Sequence, residues 1–578
     1  MKRIAFLILW LGIAPFLIGQ TLDTLPFAGG GAPFIQYFSP LEYKASPTNY
    51  AVIQALDGVM YVANQEGVLE FDGAAWRLIP LPNKGKALSL AIDEHGTIFV
   101  GGESEFGFLE PDDLGYLQYV SLLPEITPSQ TGFGKVNAVV ATSEGVYFST
   151  TPYIFRWADE QMEDWSWGNN DGFFLGFEVR DAFYCERMGR GLQMIKDDSL
   201  QLLGLKEVFE QGPLIGLSAL DSAWSTPALM LMASGTLWSY EEGKSAQPFS
   251  IDESLQKFLQ VNQADRMLAL SDGRLAISTI KGGVILMNPD GKMDQLIDRQ
   301  AGLPGASPTQ LFEDQQGGLW ITMDNGIARV EFNNPTTHFE EAQGLEGGAR
   351  QIIRFADQLF VGNRMGLFRL FDQPDPFHLP FFEQVPNVPG GFSTMTPVGE
   401  RLFIGTIESL NYVDIQGGVS NSTPFPIVQM HYAPREDEFL WLAFPDGMAL
   451  MYEDPVQDSW YLIAHLPEYV KEASSIVEDT AGALWIGYGA EGIIRIDMSN
   501  LETQLDTSAF NEAIGLIDLT PELVPYGPEK GLPLGFKKVF KVHDHILAGT
   551  PAGLKCYDAE QDRFVSRPEW GPPSMDST

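Results

Sequence analysis

The stretch DQQGGLWITMDNGIARVEF, residues 314–332, decides the fold because the chain contains it more than once. Residues 479–497 read DTAGALWIGYGAEGIIRID, with the same Asp, the same Gly three positions later and the same Leu-Trp-Ile core. In both segments a second Gly then precedes a short apolar run that contains one Arg. Such similarity between distant segments indicates an internal repeat.

Aligned on the Trp of these two segments, the chain shows twelve copies, nine of which have an aromatic residue there. The aligned residues are Tyr61, Phe99, Tyr147, Tyr184, Met230, Ala276, Trp320, Phe360, Phe403, Trp441, Trp485 and Leu547. The period of about 42 residues is typical of four-stranded propeller blades. We expect the aromatic residues to pack between neighbouring blades.

Each copy reads as an apolar run, a turn, the aligned segment, a second turn and an outgoing strand. The second turn usually ends in Gly, as at Gly283 and Gly326, which predicts a tight turn that requires positive φ. The pairs Asp93/Gly96, Asp314/Gly317 and Asp479/Gly482 are interpreted as turn residues rather than as catalytic groups or metal ligands.

Short β-rich runs with frequent turn signals predict an all-β fold of tandem β-propellers. The first, seven-bladed propeller is expected over residues 49–340, after an N-terminal leader over residues 20–48. The second is expected to be of the seven-bladed type but incomplete in this chain, with about five blades over residues 341–578. A second ring with fewer blades is the alternative. An insertion is predicted near residues 500–535, where the spacing of the repeat is longest.

The formal charge of −40 comes from 76 acidic and 36 basic side chains, and it argues against nucleic acid as a partner. The N-terminus, MKRIAFLILWLGIAPFLIGQ, predicts a signal peptide over residues 1–19 and export to the periplasm or the cell exterior. An uncleaved anchor is the alternative. The only two cysteines, Cys185 and Cys556, are expected to be separate buried thiols.

No catalytic or cofactor motif is found, so the chain is predicted to be non-enzymatic, without a cofactor and without a metal site. The pair of histidines in HDH, residues 543–545, is interpreted as ordinary strand residues.

The repeat pattern D-x-x-G-x-L-W-I-G-T-x-x-G-L-x-R resembles the two-component regulator propeller repeat of bacterial periplasmic sensors. Residues 39–82 and 89–109 are similar to the N-terminal part of one subgroup of these sensors. The resemblance implies two seven-bladed propellers, then a β-sandwich, a membrane helix and a cytoplasmic output module. We expect this chain to hold the sensor part, with the membrane segment and the output module outside it.

In a propeller, the turns between the second and third strands lie on the same face as the connections between blades, where ligands are commonly bound. Candidate ligand-binding residues in these turns are Glu103, Glu105, Phe106, Arg187, Arg190, Lys281, Asp324, Asn325, Asn363, Arg364 and Glu408. Arg is of interest because a guanidinium group binds carboxylate or sulfate through two hydrogen bonds.

Three functions remain open from the sequence. The first is the periplasmic ligand-sensing region of a transmembrane regulator, for a small molecule or an oligosaccharide, acting singly or as a homodimer. The second is a secreted propeller enzyme acting on polysaccharide, which requires a pocket with catalytic carboxylates, His or Tyr. The third is a non-enzymatic interaction scaffold with a broad face and no deep pocket.

Overall fold

The computed structural model describes the chain in stretches. These are residues 30–166, 172–187, 190–196, 198–305, 307–371, 377–433, 439–454, 459–467, 473–488, 492–497, 517–535, 537–551 and 553–567. The predicted signal peptide lies outside them, as does the predicted insertion up to residue 516. The chain divides into two compact units, Met1–His338 with Asp372–Leu379, and Phe339–Phe371 with Pro380–Thr578.

The first unit contains seven antiparallel four-stranded sheets, which we number blades 1 to 7. The first strand of the chain, β1 (Phe34–Phe38), belongs to blade 7. Blade 1 consists of β2 (Asn49–Gln54), β3 (Met60–Asn64), β4 (Gly67–Phe71) and β5 (Trp76–Ile79). Blade 2 consists of β6 (Ala87–Ile92), β7 (Ile98–Gly102), β8 (Phe106–Pro111) and β9 (Leu117–Ser121). Blade 3 consists of β10 (Val136–Thr142), β11 (Gly145–Thr150), β12 (Tyr153–Ala158) and β13 (Gln161–Ser166).

The other four blades of this unit follow the same order. Blade 4 consists of β14 (Phe173–Val179), β15 (Ala182–Arg187), β16 (Gly191–Lys196) and β17 (Ser199–Gly204). Blade 5 consists of β18 (Leu214–Ala219), β19 (Ala228–Met232), β20 (Leu237–Ser239) and β21 (Gln247–Pro248). Blade 6 consists of β22 (Ala264–Ala269), β23 (Leu275–Thr279), β24 (Gly283–Met287) and β25 (Met293–Ile297). Blade 7 consists of β26 (Pro308–Glu313), β27 (Leu319–Met323), β28 (Gly326–Glu331) and β1.

The second unit contains five sheets among the residues described, which we number blades 8 to 12. Blade 8 consists of β29 (Gln351–Phe355), β30 (Gln358–Asn363), β31 (Gly366–Phe371) and β32 (Phe381–Gln384), and blade 9 of β33 (Phe392–Val398), β34 (Arg401–Thr406), β35 (Leu410–Asp414) and β36 (Val419–Thr423). Blade 10 consists of β37 (Gln429–Ala433), β38 (Phe439–Phe444), β39 (Gly447–Asp454) and β40 (Ser459–Pro467), with β44 (Ile517–Asp518) added in parallel. Blade 11 consists of β41 (Ala473–Glu478), β42 (Leu484–Tyr488), β43 (Gly492–Ile496) and β45 (Leu523–Tyr526), and blade 12 of β46 (Lys538–Val542), β47 (His545–Thr550), β48 (Gly553–Asp558) and β49 (Arg563–Val565).

Helices are few and short. The described residues form α1 (Pro40–Tyr43), α2 (Lys206–Phe209) and α3 (Glu253–Asn262), with single 3₁₀ turns at Pro82–Lys84, Leu123–Glu125, Glu341–Gln343 and Pro528–Lys530. None of the helices in the described part of the chain is long and apolar enough to cross a membrane.

Blade 7 is closed by a strand from the predicted leader. β1 pairs with β28, with Phe34 opposite Glu331 and Phe38 opposite Ile327. Phe38 also stacks on Trp320 with ring centroids 5.4 Å apart. The predicted start of the propeller at residue 49 misses this strand, because its partner lies at the other end of the unit and no neighbouring repeat reveals it.

The aligned aromatic column forms the core, as the sequence analysis predicts. All twelve residues lie on the second strand of a blade and are buried, none more than 5% exposed. In the first unit, Tyr61 packs in one cluster with Leu90 and Ile98 of the next blade. Phe99 packs in the same way with Val136 and Phe148.

The recurring Gly has a more general cause than the predicted positive φ. Gly283 has a φ of 83°, but Gly107 has no positive φ. At both positions a Cβ atom would lie 2.0–2.3 Å from a carbonyl oxygen of the fourth strand, that of Ile297 or Val120. The close approach of the outer strand, rather than the turn alone, therefore requires glycine.

The Asp of the two opening segments is a turn residue, as predicted, and also binds the Trp. In blade 7 the Asp314 carboxylate accepts hydrogen bonds from the Gly318 N–H at 2.7 Å and the Trp320 Nε1–H at 2.8 Å. Arg329 Nε donates to the same carboxylate at 2.6 Å. In blade 11 the Trp485 Nε1–H donates to Asp479 at 2.7 Å, but Arg495 Nε is 3.9 Å from it.

The two faces of the first unit differ. On the connection face, the fourth strand of each blade leads to the first strand of the next through segments that include α1, α2 and α3. This face also carries the turns between second and third strands. On the opposite face, which we call the open face, turns join the first strand to the second and, in blades 1 to 6, the third to the fourth. They have two to five residues outside blade 5, as at residues 143–144 and 93–97.

Candidate functional site

The sequence-predicted ligand-binding residues lie in turns on the connection face of the first unit and in the corresponding turns of the second. Two of them are part of the fold in blade 2. The Phe106 side chain is fully buried in the core. The Glu105 carboxylate accepts hydrogen bonds from Ser121 Oγ at 2.6 Å and Tyr119 Oη at 3.0 Å, and is 9% exposed.

Two asparagines also have structural partners. Asn363 is buried, donates from Nδ2 to the Glu346 carbonyl at 2.6 Å and accepts the Met365 N–H at 2.8 Å. The backbone carbonyl of Asn325 accepts a hydrogen bond from Tyr37 Oη at 2.6 Å, whereas its side-chain Oδ1 is buried and has no hydrogen-bond partner among the described residues. Asn363 therefore holds its turn in place through its side chain, and Asn325 through its backbone.

The remaining candidates are charged residues of the turns between second and third strands. Glu103 forms an exposed ion pair with Lys86 at 3.2 Å. Arg187 is half-buried, and the exposed ones are Arg190, Lys281, Asp324, Arg364 and Glu408. Arg187 and Arg190 share one turn of blade 4 and the others come from different blades. None of the eleven lines either of the two cavities described next.

Blade 5 departs from the regular turns on the open face. Its first turn spans residues 220–227 and its second spans residues 240–246, both longer than any other on this face. Trp224 anchors the first turn, because its side chain is buried and its Nε1–H donates to the Gly273 carbonyl of blade 6 at 2.9 Å. The Tyr240 N–H donates to the Ala228 carbonyl at 2.9 Å, which ties the two turns together.

A cavity of about 210 Å³ lies between blades 4 and 5 on the open face. Its apolar lining consists of Val179, Ala182, Met194, Ile195, Pro227 and Ala228. Its polar lining consists of the phenols Tyr184 and Tyr240 and the charged residues Glu144, Arg180, Lys196, Glu241 and Glu242. The cavity thus has an apolar interior and a charged rim, which is the usual composition of a small-molecule site.

The two tyrosines form the polar part of the interior. Their rings meet edge to face, with centroids 6.1 Å apart, and they are 4–5% exposed. The Tyr240 hydroxyl is buried and, within the described part of the chain, has no partner with hydrogen-bond geometry. Burial is the main cause that raises the pKa of both phenols. The interaction between the two hydroxyls raises the pKa of Tyr240 further and lowers that of Tyr184, and the charge of Glu242 raises both, so both phenols stay protonated at neutral pH.

The charges of the rim are separated between the blades. Arg180 and Lys196 come from two-residue turns of blade 4 or their edges, whereas Glu241 and Glu242 come from the long turn of blade 5. Lys196 Nζ lies 4.0 Å from Glu242 Oε1, and both side chains are more than half exposed. The contact across the cavity is therefore a weak ion pair that a ligand can replace.

A second, more open cavity of about 640 Å³ adjoins the first and shares Pro227, Tyr240 and Glu241 with it. Its other lining residues are mainly hydroxyl and amide side chains, including Ser225, Thr226, Ser239, Ser245 and Gln247. The shared Tyr240 makes the two cavities parts of one site.

Metal binding has no candidate in the stretches that the structure describes, since they contain no group of three or more His, Cys, Asp or Glu residues suited to a metal ion. The HDH motif is not a continuous strand segment: His543 lies in the turn before β47 and has a φ of 54°.

The sequence analysis missed this site, although a signal is present. Blade 5 lacks an Asp-x-x-Gly turn before its aligned residue Met230 and has DSAWSTP, residues 221–227, instead. The longer segment and the aromatic-acidic run WSYEEGK, residues 238–244, mark the blade of the first unit whose described open-face turns are longest. That Tyr240 meets Tyr184 of another blade becomes visible only in three dimensions.

No protein-family model and no curated protein matches the chain. Among solved structures, the extracellular domain of the proposed hybrid two-component system BT3049 from B. thetaiotaomicron is similar, with 14% identity and a TM-score of 0.52 over 93% of this chain and 78% of that one. The extracellular domain of BT4673 from the same organism has 13% identity and a TM-score of 0.41 over 93% and 78%. Virginiamycin B lyase from Staphylococcus aureus has 11% identity and a TM-score of 0.40 over 51% and 98%.

The similarity to BT3049 concerns the fold, because the sequences are only 14% identical. At that level it confirms the resemblance that the repeat indicated: the chain is a tandem array of four-stranded propeller blades, with the architecture of the extracellular domain of a two-component system.

Proposed function

We propose that the chain is the exported ligand-sensing region of a transmembrane signalling regulator. Its ligand is a small polar molecule that binds in the cavity between blades 4 and 5. The similar extracellular domain of BT3049 belongs to a hybrid two-component system, which supports this class of function.

The observation that carries the proposal is the cavity of about 210 Å³, which combines an apolar interior, two buried phenols and a charged rim. Such a combination is the usual composition of a small-molecule site. A ligand with a polar group in the cavity would hydrogen-bond to one of the two phenols. The chain acts as a sensor if that ligand binds one conformation of the regulator more tightly than another.

Two observations favour ligand binding over the alternatives. An acid or base catalyst needs a pKa close to the working pH, whereas burial moves the pKa of Tyr184 and Tyr240 upward, away from neutral. An interaction scaffold needs no enclosed cavity, whereas this one holds about 210 Å³. The site is therefore better suited to holding a small molecule unchanged than to converting it or to docking a protein.

The test is a thermal-shift screen of the purified chain against small polar metabolites, because a compound that binds only the folded state raises Tm. For each hit, Tyr240→Phe is expected to weaken binding about fivefold to tenfold, the effect of one hydrogen bond. Tyr116→Phe is the matched control, since Tyr116 is exposed on the open face of blade 2 and lies outside both cavities.

Three further measurements complete the test. Ala182→Phe, which fills the cavity, is expected to abolish binding while circular dichroism stays unchanged. The bound compound must be recovered chemically intact, as seen by NMR. The proposal would be contradicted if the hits bound to Tyr240→Phe and Ala182→Phe with the same affinity as to the parent chain. It would also be contradicted if the chain converted the compound to a product.

A further inference from the structure

We propose that the cavity between blades 4 and 5 binds a small zwitterion with an apolar side chain, namely a free α-amino acid. The inference rests on the proposed function and specifies the ligand class of the same site. Nothing in the repeat pattern or in the fold points to this class; the distribution of charge around the cavity does.

The first argument is the separation of charge across the cavity. The two cations of the rim, Arg180 and Lys196, belong to blade 4, and the carboxylates Glu241 and Glu242 belong to blade 5. A ligand with a single charge would be attracted by one wall and repelled by the other. A zwitterion places its carboxylate against blade 4 and its ammonium group against blade 5, and both contacts are charge-assisted.

The second argument is that three of the four charged groups of the rim have only weak contacts, whereas Glu241 pairs with Lys244 of its own turn at 2.6 Å. Lys196 and Glu242 approach only to 4.0 Å, with side chains 54% and 60% exposed. Arg180 Nη2 makes one long hydrogen bond, 3.5 Å, to the Pro227 carbonyl. Exchanging these contacts for a carboxylate and an ammonium group costs little, because exposed ion pairs contribute at most about 1 kcal/mol.

The third carboxylate, Glu144, has a different role. It accepts a hydrogen bond from Tyr147 Oη at 3.3 Å and lies 3.9 Å from Arg156 Nη1. Arg156 in turn pairs with Asp198 at 2.6 Å. Glu144 thus belongs to a cluster around Arg156 and leaves the blade 4 wall cationic.

The third argument is the size and polarity of the interior. Val179, Met194 and Ile195 are buried and offer an apolar floor, and the volume of about 210 Å³ accommodates one amino acid. Tyr240 lines the cavity, and a phenol hydroxyl can donate to the ligand carboxylate or accept from its ammonium group. The apolar floor, the phenol and the charged rim would therefore each contact a different group of one amino acid.

The test uses isothermal titration of the full chain with three compounds of the same shape. L-Leucine carries both charges, L-leucinamide lacks the carboxylate, and L-2-hydroxy-4-methylpentanoate lacks the ammonium group. We expect L-leucine to bind, and each analogue to bind at least about tenfold more weakly, the loss of one charge-assisted contact. L-Methionine and L-phenylalanine extend the panel to other apolar side chains.

Substitutions assign each charge to its wall. Arg180→Gln is expected to weaken L-leucine and the hydroxy acid but to leave leucinamide unchanged. Glu242→Gln is expected to weaken L-leucine and leucinamide but to leave the hydroxy acid unchanged. Glu94→Gln, on the open face of blade 2 and outside both cavities, is the control and should change nothing.

The outcomes separate this inference from the proposed function. The zwitterion proposal would be overturned if L-leucine and either analogue bound with equal affinity. It would also be overturned if none of the three amino acids bound while other metabolites bound in a Tyr240-dependent way. Either result would leave the proposed sensing site intact. Both the zwitterion proposal and the proposed function would be overturned if amino acids bound equally well to the Tyr240, Arg180 and Glu242 variants. They would also be overturned if no compound bound to the chain.

Discussion

The connection face of the first unit is built from helices and hydrogen-bonded turns, whereas the open face consists of short turns with one exception at blade 5. On the connection face, α3 buries Leu255 and Leu259, and Glu105 and Phe106 are bound into the fold. On the open face, the two long turns of blade 5 enclose a cavity that contains an unpartnered buried hydroxyl.

The difference shows that polar residues in turns do not by themselves identify a binding site. The turns of the connection face attract interest because they carry charged residues and because propeller ligands are commonly found there. In this chain several of those residues already have structural partners, so changing them is expected to affect stability. At the blade 5 cavity, Arg180 and Lys196 make only long contacts, of 3.5 and 4.0 Å, so changing them is expected to affect binding more than stability.

The largest expected effect is that of Phe106→Ala on the connection face. Truncating this fully buried ring is expected to lower the free energy of unfolding by about 3–5 kcal/mol, through lost apolar burial and the cavity left behind. Chemical denaturation measures the loss. The folded fraction of the variant should still show any ligand-induced rise in Tm. If the variant lost ligand binding without being destabilised, the connection face and not the open face would hold the site.

Asp314→Asn tests whether the open face outside blade 5 is structural. Burial opposes ionisation of Asp314, but the hydrogen bonds from Arg329, Gly318 and Trp320 outweigh it and lower its pKa. A carboxyl whose pKa is lower in the folded state stabilises the protein above the pKa of the unfolded chain, about 3.9. We expect a loss of about 2–3 kcal/mol at pH 7 for this hydrogen-bonded pair.

The pH dependence is the check on Asp314. The difference between the parent chain and Asp314→Asn should shrink as the pH falls below about 4, where the carboxylate becomes protonated. Denaturation curves between pH 3 and pH 7 measure it. A difference that does not depend on pH would mean that the charge of Asp314 contributes nothing.

Glu186→Gln, near the connection face, is expected to raise the free energy of unfolding of the protein. Burial raises the pKa of Glu186, with the Leu214 N–H bond at 2.7 Å acting in the opposite direction. Because the folded protein holds this proton more tightly than the unfolded chain, stability falls as the pH rises from the ordinary carboxyl pKa through the raised one. Glutamine keeps an acceptor for Leu214 without the charge.

We therefore expect the free energy of unfolding of Glu186→Gln at pH 7 to be about 1 kcal/mol higher than that of the parent chain, with the advantage disappearing near pH 4. Leu214 N–H exchange reports whether its hydrogen bond survives. Destabilisation at pH 7 with that bond intact would show that the Glu186 charge is favourable where it lies.

The smallest effect is expected for the exposed candidates in the turns between second and third strands of both units. Lys281→Gln and Arg364→Gln should change the free energy of unfolding by less than about 0.5 kcal/mol, as surface substitutions usually do. Titration of any ligand found for the chain should give the same Kd. A tenfold loss of affinity in either variant would place the site at the turn that carries the substituted residue.

The sequence predicts much of the fold because the fold is periodic. Trp320, Tyr61 and their aligned equivalents recur at about the same spacing, and repetition reveals a core that one segment alone would not. The strand β1 could not be found in this way, since its partner β28 is distant in sequence and it has no repeated neighbour.

The site was less accessible to prediction for a related reason. A repeat identifies what the blades share, whereas the cavity depends on what blade 5 does not share, the lengths of its turns. Tyr184 is itself a member of the aromatic column, and its sequence position gives no sign that Tyr240 meets it at the cavity. Even the reason for the recurrent Gly, the carbonyl of an outer strand, is a tertiary contact.

Hydrogen–deuterium exchange of the chain with and without L-leucine tests most directly whether the open face holds the ligand. The account predicts slower exchange at residues 180–184, 194–196 and 227–242, which form the cavity walls, and no change in the turns around Glu103, Lys281 and Asp324. Protection confined to those connection-face turns would contradict it.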